Sequence, residues 1–295
     1  MRDFREAVKS GEVIIMDGGM GTLVSQLGGS MASSENNLNY PEVVTKAHQL
    51  YIEAGSNCIN TNTFSLNGVC AARQGLSPQE AERSLLAAMD IAVKAAGDRC
   101  YVLGDLGPTG EMLAPLGKGD PEEFHKAYRR QAELMAEFPI AAYIIETVFD
   151  LNEAKIIMDA CREAAPDIPV ILSMTFSAVK RGGCTVMGHT AAKIAAAAKE
   201  AGALAVGANC GDLSPQQYAT ILTSFKEACD LPLAIQPNAG KPALHEGVLT
   251  YPLDAESFAE AVEDCFSAGA RMLGGCCGTT PAHINALNRR FKGRA

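Results

Sequence analysis

A single-domain (β/α)8 barrel is the fold this sequence predicts, on three observations. Eight short runs are almost continuously apolar, as strands of a parallel sheet are when both faces are covered. Longer stretches with helix-starting or helix-stopping signals alternate with them. Polar and metal-binding residue types collect at the C-terminal ends of the runs, where barrels of this kind place their active sites. A doubly wound open sheet is the alternative architecture. No Pro/Gly/Ser-rich linker and no low-complexity stretch divides the chain, so residues 1–295 read as one domain.

Phe4, Ala7 and Val8 predict a short N-terminal helix closing one end of the barrel. The first strand is Val13–Asp17. Pro41–Ala54 then carries Val43, Val44, Ala47, Leu50, Tyr51 and Ala54 on a helical stripe and stops at Gly55. Cys58–Phe64 is the second strand. Ser77-Pro78-Gln79-Glu80 is a capping box with proline at the first helical position, and its helix stops at Gly97. Tyr101–Gly107 is the third strand, and Asp120-Pro121-Glu122-Glu123 opens the helix after it. Ala142–Thr147 is the fourth, with Asp150 as the following cap. Val170–Phe176 is the fifth. Past the stop at Gly202, Ala203–Cys210 is the sixth, followed by a helix start at Ser214-Pro215. Leu233–Asn238 is the seventh, and Asp254 opens a helix that stops at Gly269. Arg271–Cys276 is the eighth, before the last helix start at Thr280-Pro281.

Composition narrows the function. A formal net charge of −9 without basic runs argues against nucleic acid and anionic membrane surfaces. At 47% hydrophobic the chain can build a core, yet no apolar stretch reaches the ~18 residues of a membrane span. The N-terminus carries mixed charge and no export signal. Ten cysteines in a chain of this length do not form a disulfide framework, so a reducing, cytoplasmic setting with free thiols is expected. Cys58, Cys100, Cys161, Cys229 and Cys265 fall in apolar patterns and read as core thiols. Cys70 and Cys184 receive no role.

The remaining three cysteines sit at strand ends. Cys210 ends the sixth strand; Cys276 and Cys277 end the eighth. Three thiolates with an open fourth position suit a catalytic Zn²⁺. Adjacent strand residues point to opposite faces, so Cys276 and Cys277 share a metal only if the chain turns between them. Gly274, Gly275 and Gly278 permit that. A vicinal redox pair or plain core cysteines are the other readings. The Asp17-Gly18-Gly19-Met20-Gly21-Thr22 turn lacks phosphate-loop spacing, but its amides can hold a carboxylate, while Asp17 and Glu146 can hold an ammonium. Together these describe an amino-acid site; ordinary turn chemistry is the alternative. His48, His125, His189, His245 and His283 occupy helix or loop patterns and read as surface or structural, none partnered at a strand end. Lys180 and Lys241, just beyond strands five and seven, keep a Schiff-base barrel lyase open.

Four segments carry a resemblance over nearly the whole chain: Met16-Asp17-Gly18-Gly19-Met20-Gly21-Thr22, Thr61-Asn62-Thr63-Phe64, Gly207-Ala208-Asn209-Cys210 and Gly274-Gly275-Cys276-Cys277-Gly278-Thr279-Thr280-Pro281. The chain resembles the homocysteine S-methyltransferase family. Segments 37–44, 104–111 and 236–242 are most similar to its cobalamin-dependent methionine synthase branch. The resemblance implies that Cys210, Cys276 and Cys277 hold Zn²⁺ as the catalytic centre. It also implies that Asp17, Gly18, Gly19, Met20, Asn62 and Glu146 hold homocysteine. The homocysteine thiol would be deprotonated as fourth ligand and then methylated. Asn238 is the candidate for the weak ligand it replaces. The implied donor is methylcobalamin on a corrinoid protein or on cobalamin and folate modules beyond this chain, which is either a fragment or a free-standing unit. A small donor (S-methylmethionine, S-adenosylmethionine or betaine) is the next reading, and a non-enzymatic zinc or thiol protein the last.

Overall fold

The computed structural model describes residues 1–30, 33–245 and 248–294. Eight parallel strands form the barrel: β1 (Ile14–Ile15), β2 (Cys58–Asn60), β3 (Tyr101–Leu106), β4 (Ala142–Val148), β5 (Val170–Met174), β6 (Ala205–Asn209), β7 (Leu233–Gln236) and β10 (Ala270–Leu273). From β2 through β7 to β10 each strand pairs with the next, and β10 pairs with β1. Asn57 bridges the seam between β1 and β2. Its N–H donates to the Ile15 carbonyl at 2.6 Å, and its Oδ1 accepts from the Ile15 N–H at 2.8 Å. The sheet is therefore a nearly closed (β/α)8 barrel, not an open doubly wound sheet.

The helices among the described residues are α1 (Phe4–Lys9), α2 (Met20–Gln26), α3 (Ser33–Asn39), α4 (Pro41–Ala54), α5 (Gly68–Arg73), α6 (Pro78–Ala96), α7 (Pro121–Ala136), α8 (Leu151–Ala164), α9 (Ala191–Glu200), α10 (Tyr218–Ala228), α11 (Ala255–Ser267) and α12 (Pro281–Phe291). Their starts follow the local sequence. The Ser77 hydroxyl and the Glu80 carboxylate cap each other's backbone N–H groups at the start of α6. Asp120, Asp150 and Asp254 accept first-turn N–H groups of α7, α8 and α11. Gly55, Gly97, Gly202 and Gly269 all have positive φ where their helices stop.

Side chains alternate along the strands. Ile14, Leu103, Ile144, Ile171, Ala205, Ala234 and Met272 fill the barrel interior, where Phe4, Ala7 and Val8 of α1 plug one end. Ile15, Ile145, Leu172, Val206, Ile235 and Leu273 point outward into the layer packed against the helices. The five expected core cysteines are buried free thiols. No described helix is long and apolar enough to cross a membrane.

Several strands end earlier than their apolar runs suggest. β2 stops at Asn60 rather than Phe64, and β10 at Leu273 rather than Cys276. At the end of β2 a side chain joins the ladder, the Asp17 Oδ2 accepting the Asn60 N–H at 2.8 Å, whereas past β10 backbone bonds continue from the Gly274 and Cys276 N–H groups to the Ile235 and Pro237 carbonyls. The sequence reading did not anticipate α2, α3 and α5, or the hairpin β8 (Ala243–His245) with β9 (Val248–Thr250). All four are short pieces inserted in βα loops, where no long periodic pattern marks them.

His48 is wholly buried and held down to about 4 by that burial. His283 stabilises the start of α12: its Nδ1 accepts the Thr280 N–H at 3.2 Å, and its Nε2 bonds the Leu253 carbonyl at 2.9 Å. His189, in the loop before α9, pairs with Asp150, the cap of α8, at 3.1 Å. The long β5–α9 loop folds back to bring it there. The His245 side chain lies outside those described.

Candidate metal centre and amino-acid pocket

The chain turns after β10 as the paired cysteines require. Gly278 takes φ 78°, and the Cys276 and Cys277 sulfurs end 4.0 Å apart. Cys210, just past β6, brings its sulfur to 4.0 Å from that of Cys277. All three sulfurs lie within 4.8 Å of one another. Cys277 is held down to about 3 by hydrogen bonds from Cys210 and Cys276, with a further one from Tyr251. Cys276 is raised, first by its bond with Cys210, then by that with Cys277 and by burial.

Beside the sulfurs opens a cavity of about 400 Å³. Its lining includes Asp17, Gly18, Gly19, Met20, Asn62 and Glu146 from the sequence reading, together with Cys210, Cys276 and Cys277. The predicted site residues thus share one cavity. The Asn62 amide is turned toward α3, donating to Asn37 Oδ1 at 2.8 Å. Lys180 and Lys241 are absent from the lining. A larger cavity of about 550 Å³ at the opposite end of the barrel, between Arg5, Lys9, Arg162 and Pro232, holds none of these residues.

Asp105 was missed as a site residue. It lies in β3 and is 3% exposed, and its Oδ1 has no hydrogen-bond partner. Its signal was an ionisable residue inside the apolar run Val102-Leu103-Gly104-Asp105-Leu106. It joins Asp17 and Glu146 as a third carboxyl on the cavity wall. Burial raises all three. Asp105 is raised further by Glu146 and Asp17, whereas the Asn60 N–H partly offsets the rise at Asp17. Glu146 is raised to about 7, by burial and then by the Cys277 charge, despite the Asn60 amide 3.3 Å from its Oε2. Asn60 Oδ1 is another buried acceptor without a partner. Crowded carboxyls and unpartnered acceptors thus share this wall, an arrangement whose chemistry would suit a cationic group.

The glycine turn is packed directly on the cysteine turn. The Gly19 N–H donates to Thr279 Oγ1 at 2.9 Å, and that hydroxyl donates to the Cys276 carbonyl at 2.6 Å. The Tyr51 hydroxyl bonds the Gly19 and Thr279 carbonyls, each at 3.1 Å. A Cβ on Gly19 would lie 2.5 Å from the Cys276 carbonyl oxygen. Gly19→Ala is therefore expected to push the two turns apart, at an overpacking cost of about 1–3 kcal/mol. Thermal melting and chelator competition should both register it. An unchanged melting temperature and metal affinity would show that the turn yields freely.

A family model described as homocysteine S-methyltransferase matches residues 14–291. The chain belongs to the homocysteine S-methyltransferase family. It is 29% identical over 293 residues to a methionine synthase of Mycobacterium leprae, covering 93% of this chain and 24% of that protein. To the methionine synthase of Mycobacterium tuberculosis it is 30% identical over 299 residues, covering 95% and 25%. This homocysteine S-methyltransferase family chain thus spans about a quarter of the length of these curated relatives. Its fold matches the metallated form of the homocysteine methyltransferase MmuM from Escherichia coli at a TM-score of 0.78. That match has 23% identity and covers 96% of this chain and 98% of the other.

Proposed function

We propose that this chain transfers a methyl group to the thiol of homocysteine, giving methionine. The observation that carries the reading is the shared cavity: a three-sulfur cluster and three buried carboxyls line one space of about 400 Å³. Homocysteine has a thiol at one end and an ammonium at the other. Tetrahedral zinc with Zn–S bonds of about 2.3 Å needs sulfurs roughly 3.8 Å apart. The observed 4.0 Å separations fit that need, and thiolates are its preferred ligands. Cys210, Cys276 and Cys277 would hold the Zn²⁺. When bound, it supplies the positive charge that keeps a substrate thiol deprotonated at neutral pH.

Asp17, Asp105 and Glu146 bind the substrate ammonium and, through it, orient the thiol toward the cluster. The Gly19 N–H is taken by Thr279, so the first-turn N–H groups of α2, beginning at Met20 and Gly21, serve the carboxylate, since such groups have no partner within their helix. Asn238 donates to the Gly211 carbonyl at 2.7 Å, leaving a buried Oδ1 with no partner. It follows β7, whose extension binds the Cys276 and Cys277 backbone, and it remains our candidate for the displaceable fourth ligand. The need for a histidine base disappears if the thiol arrives as a thiolate.

For the donor we infer a methylcorrinoid on another domain or protein. Identity with methionine synthases along almost the whole chain supports this, as does the greater length of those relatives. The test supplies zinc-loaded protein and homocysteine with methylcobalamin, S-methylmethionine, S-adenosylmethionine or betaine, and measures methionine. Methionine from methylcobalamin is expected. Turnover only with a small donor would overturn the corrinoid assignment; turnover with none would point to an obligatory corrinoid-protein partner or a different acceptor thiol, and zinc-loaded protein that binds no homocysteine would overturn the reading of the site.

A further inference from the structure

Thr147 and Cys210 take left-handed backbone at φ 63° and φ 55°, although neither is glycine. A β-branched residue resists that conformation unless its surroundings enforce it. Thr147 sits in a bulge, since the register between β4 and β5 shifts between Ile145 and Val148. Bulges re-aim side chains, and the residue re-aimed here is Glu146.

The bulge is held by one side chain from the neighbouring sheet region. Asn209 Oδ1 accepts the Thr147 N–H at 3.0 Å, and Asn209 Nδ2 donates to Thr147 Oγ1 at 2.7 Å. Ser173 Oγ donates to the same Oδ1 at 2.8 Å. Asn209 is wholly buried and is the last residue of β6, covalently joined to Cys210. Its own carbonyl accepts from Thr175 Oγ1 at 3.0 Å. One amide therefore braces both the element that presents Glu146 and the element that presents Cys210.

We propose that Asn209 is a positioning residue that couples the thiol cluster to the acidic end of the cavity. This rests on the homocysteine reading above. A metal on the cysteines and an amino group at Glu146 then favour the same backbone arrangement, and each strengthens the other's site.

The test compares wild type, Asn209→Ala and Asn209→Ala/Thr147→Gly. Zn²⁺ affinity is read by chelator competition, homocysteine affinity by calorimetry at saturating zinc, and coordination by the visible spectrum of the cobalt(II)-substituted protein. Outer-shell partners of metal ligands are worth roughly 10–100-fold in affinity. Asn209→Ala should weaken zinc by about that factor, alter the cobalt spectrum and also weaken homocysteine. Adding Thr147→Gly should restore homocysteine affinity, because glycine takes left-handed φ without steric cost, while zinc stays weak. If Asn209→Ala does not fold, Ser173→Ala, which removes one bond to the same Oδ1, should give smaller losses in both affinities. Unchanged affinities in a folded variant, or no rescue by Thr147→Gly, would overturn the coupling. A wild type that binds neither zinc nor homocysteine would instead remove the functional reading beneath it.

Discussion

Cys276→Ser is expected to abolish metal binding and methyl transfer together while the barrel stays folded. The Cys276 sulfur belongs to the cluster and not to the apolar layers, so its loss leaves the core intact. The backbone bonds of Cys276, from its N–H to the Pro237 carbonyl and from Thr279 Oγ1 to its own carbonyl, survive the substitution. Serine keeps the shape but replaces a soft thiolate with a hydroxyl that stays protonated, a poor zinc ligand. Without the metal, a free thiol titrating near ~8.5 is only a few per cent thiolate at neutral pH. That alone removes at least about 30-fold in rate, before any loss of orientation. Zinc content after dialysis, methionine formation and circular dichroism melting provide the check. Full activity in a folded, metal-free Cys276→Ser protein would refute the metal assignment.

Glu146→Gln is expected to move stability and substrate affinity in opposite directions. Burial, and after it the Cys277 charge, pushes Glu146 up to about 7 in the fold against an ordinary 4.5. Between those values the folded state keeps a proton that the unfolded chain has released, so the ligand-free protein loses stability as pH rises through that window. Below pH ~4.5 the penalty is absent; above pH ~7 it is fully present, at about 3 kcal/mol. Glutamine carries no charge and escapes it, so the ligand-free variant should melt higher than wild type at pH 8 and equally at pH 4. Homocysteine binding should weaken, since breaking a buried charge pair costs about 2–5 kcal/mol. Thermal melting across pH and calorimetric titration of homocysteine measure the two effects. A variant that melts lower and binds homocysteine as before would show that Glu146 is a structural residue with no ammonium to hold.

The barrel was readable because its signals are local. Apolar runs, proline-led caps and glycine stops each act within a few residues, and the strand ends they locate carry Asp17, Glu146, Cys210, Cys276 and Cys277. A barrel then gathers those ends at one mouth, so a list of strand ends becomes a list of site residues. Asp105 escaped because an isolated carboxylate in a strand is equally a misjudged register. Only the neighbouring Asp17 and Glu146 give it a purpose. The short helices α2, α3 and α5 and the β8–β9 hairpin escaped because their form depends on what they pack against, not on their own periodicity.

The sequence by itself determined which chemical groups this protein brings to the mouth of a barrel: three thiols, a glycine turn and carboxyls at strand ends. Tertiary structure alone decided the 4.0 Å spacing of the sulfurs, the bulge at Thr147 and the Asn209 amide that spans it. The physical reason lies in range. Helix caps and strand periodicity come from residues a few positions apart. The distance between Cys210 and Cys277, or between Asn209 and Thr147, depends on the register of strands distant in sequence, which only the closed sheet fixes.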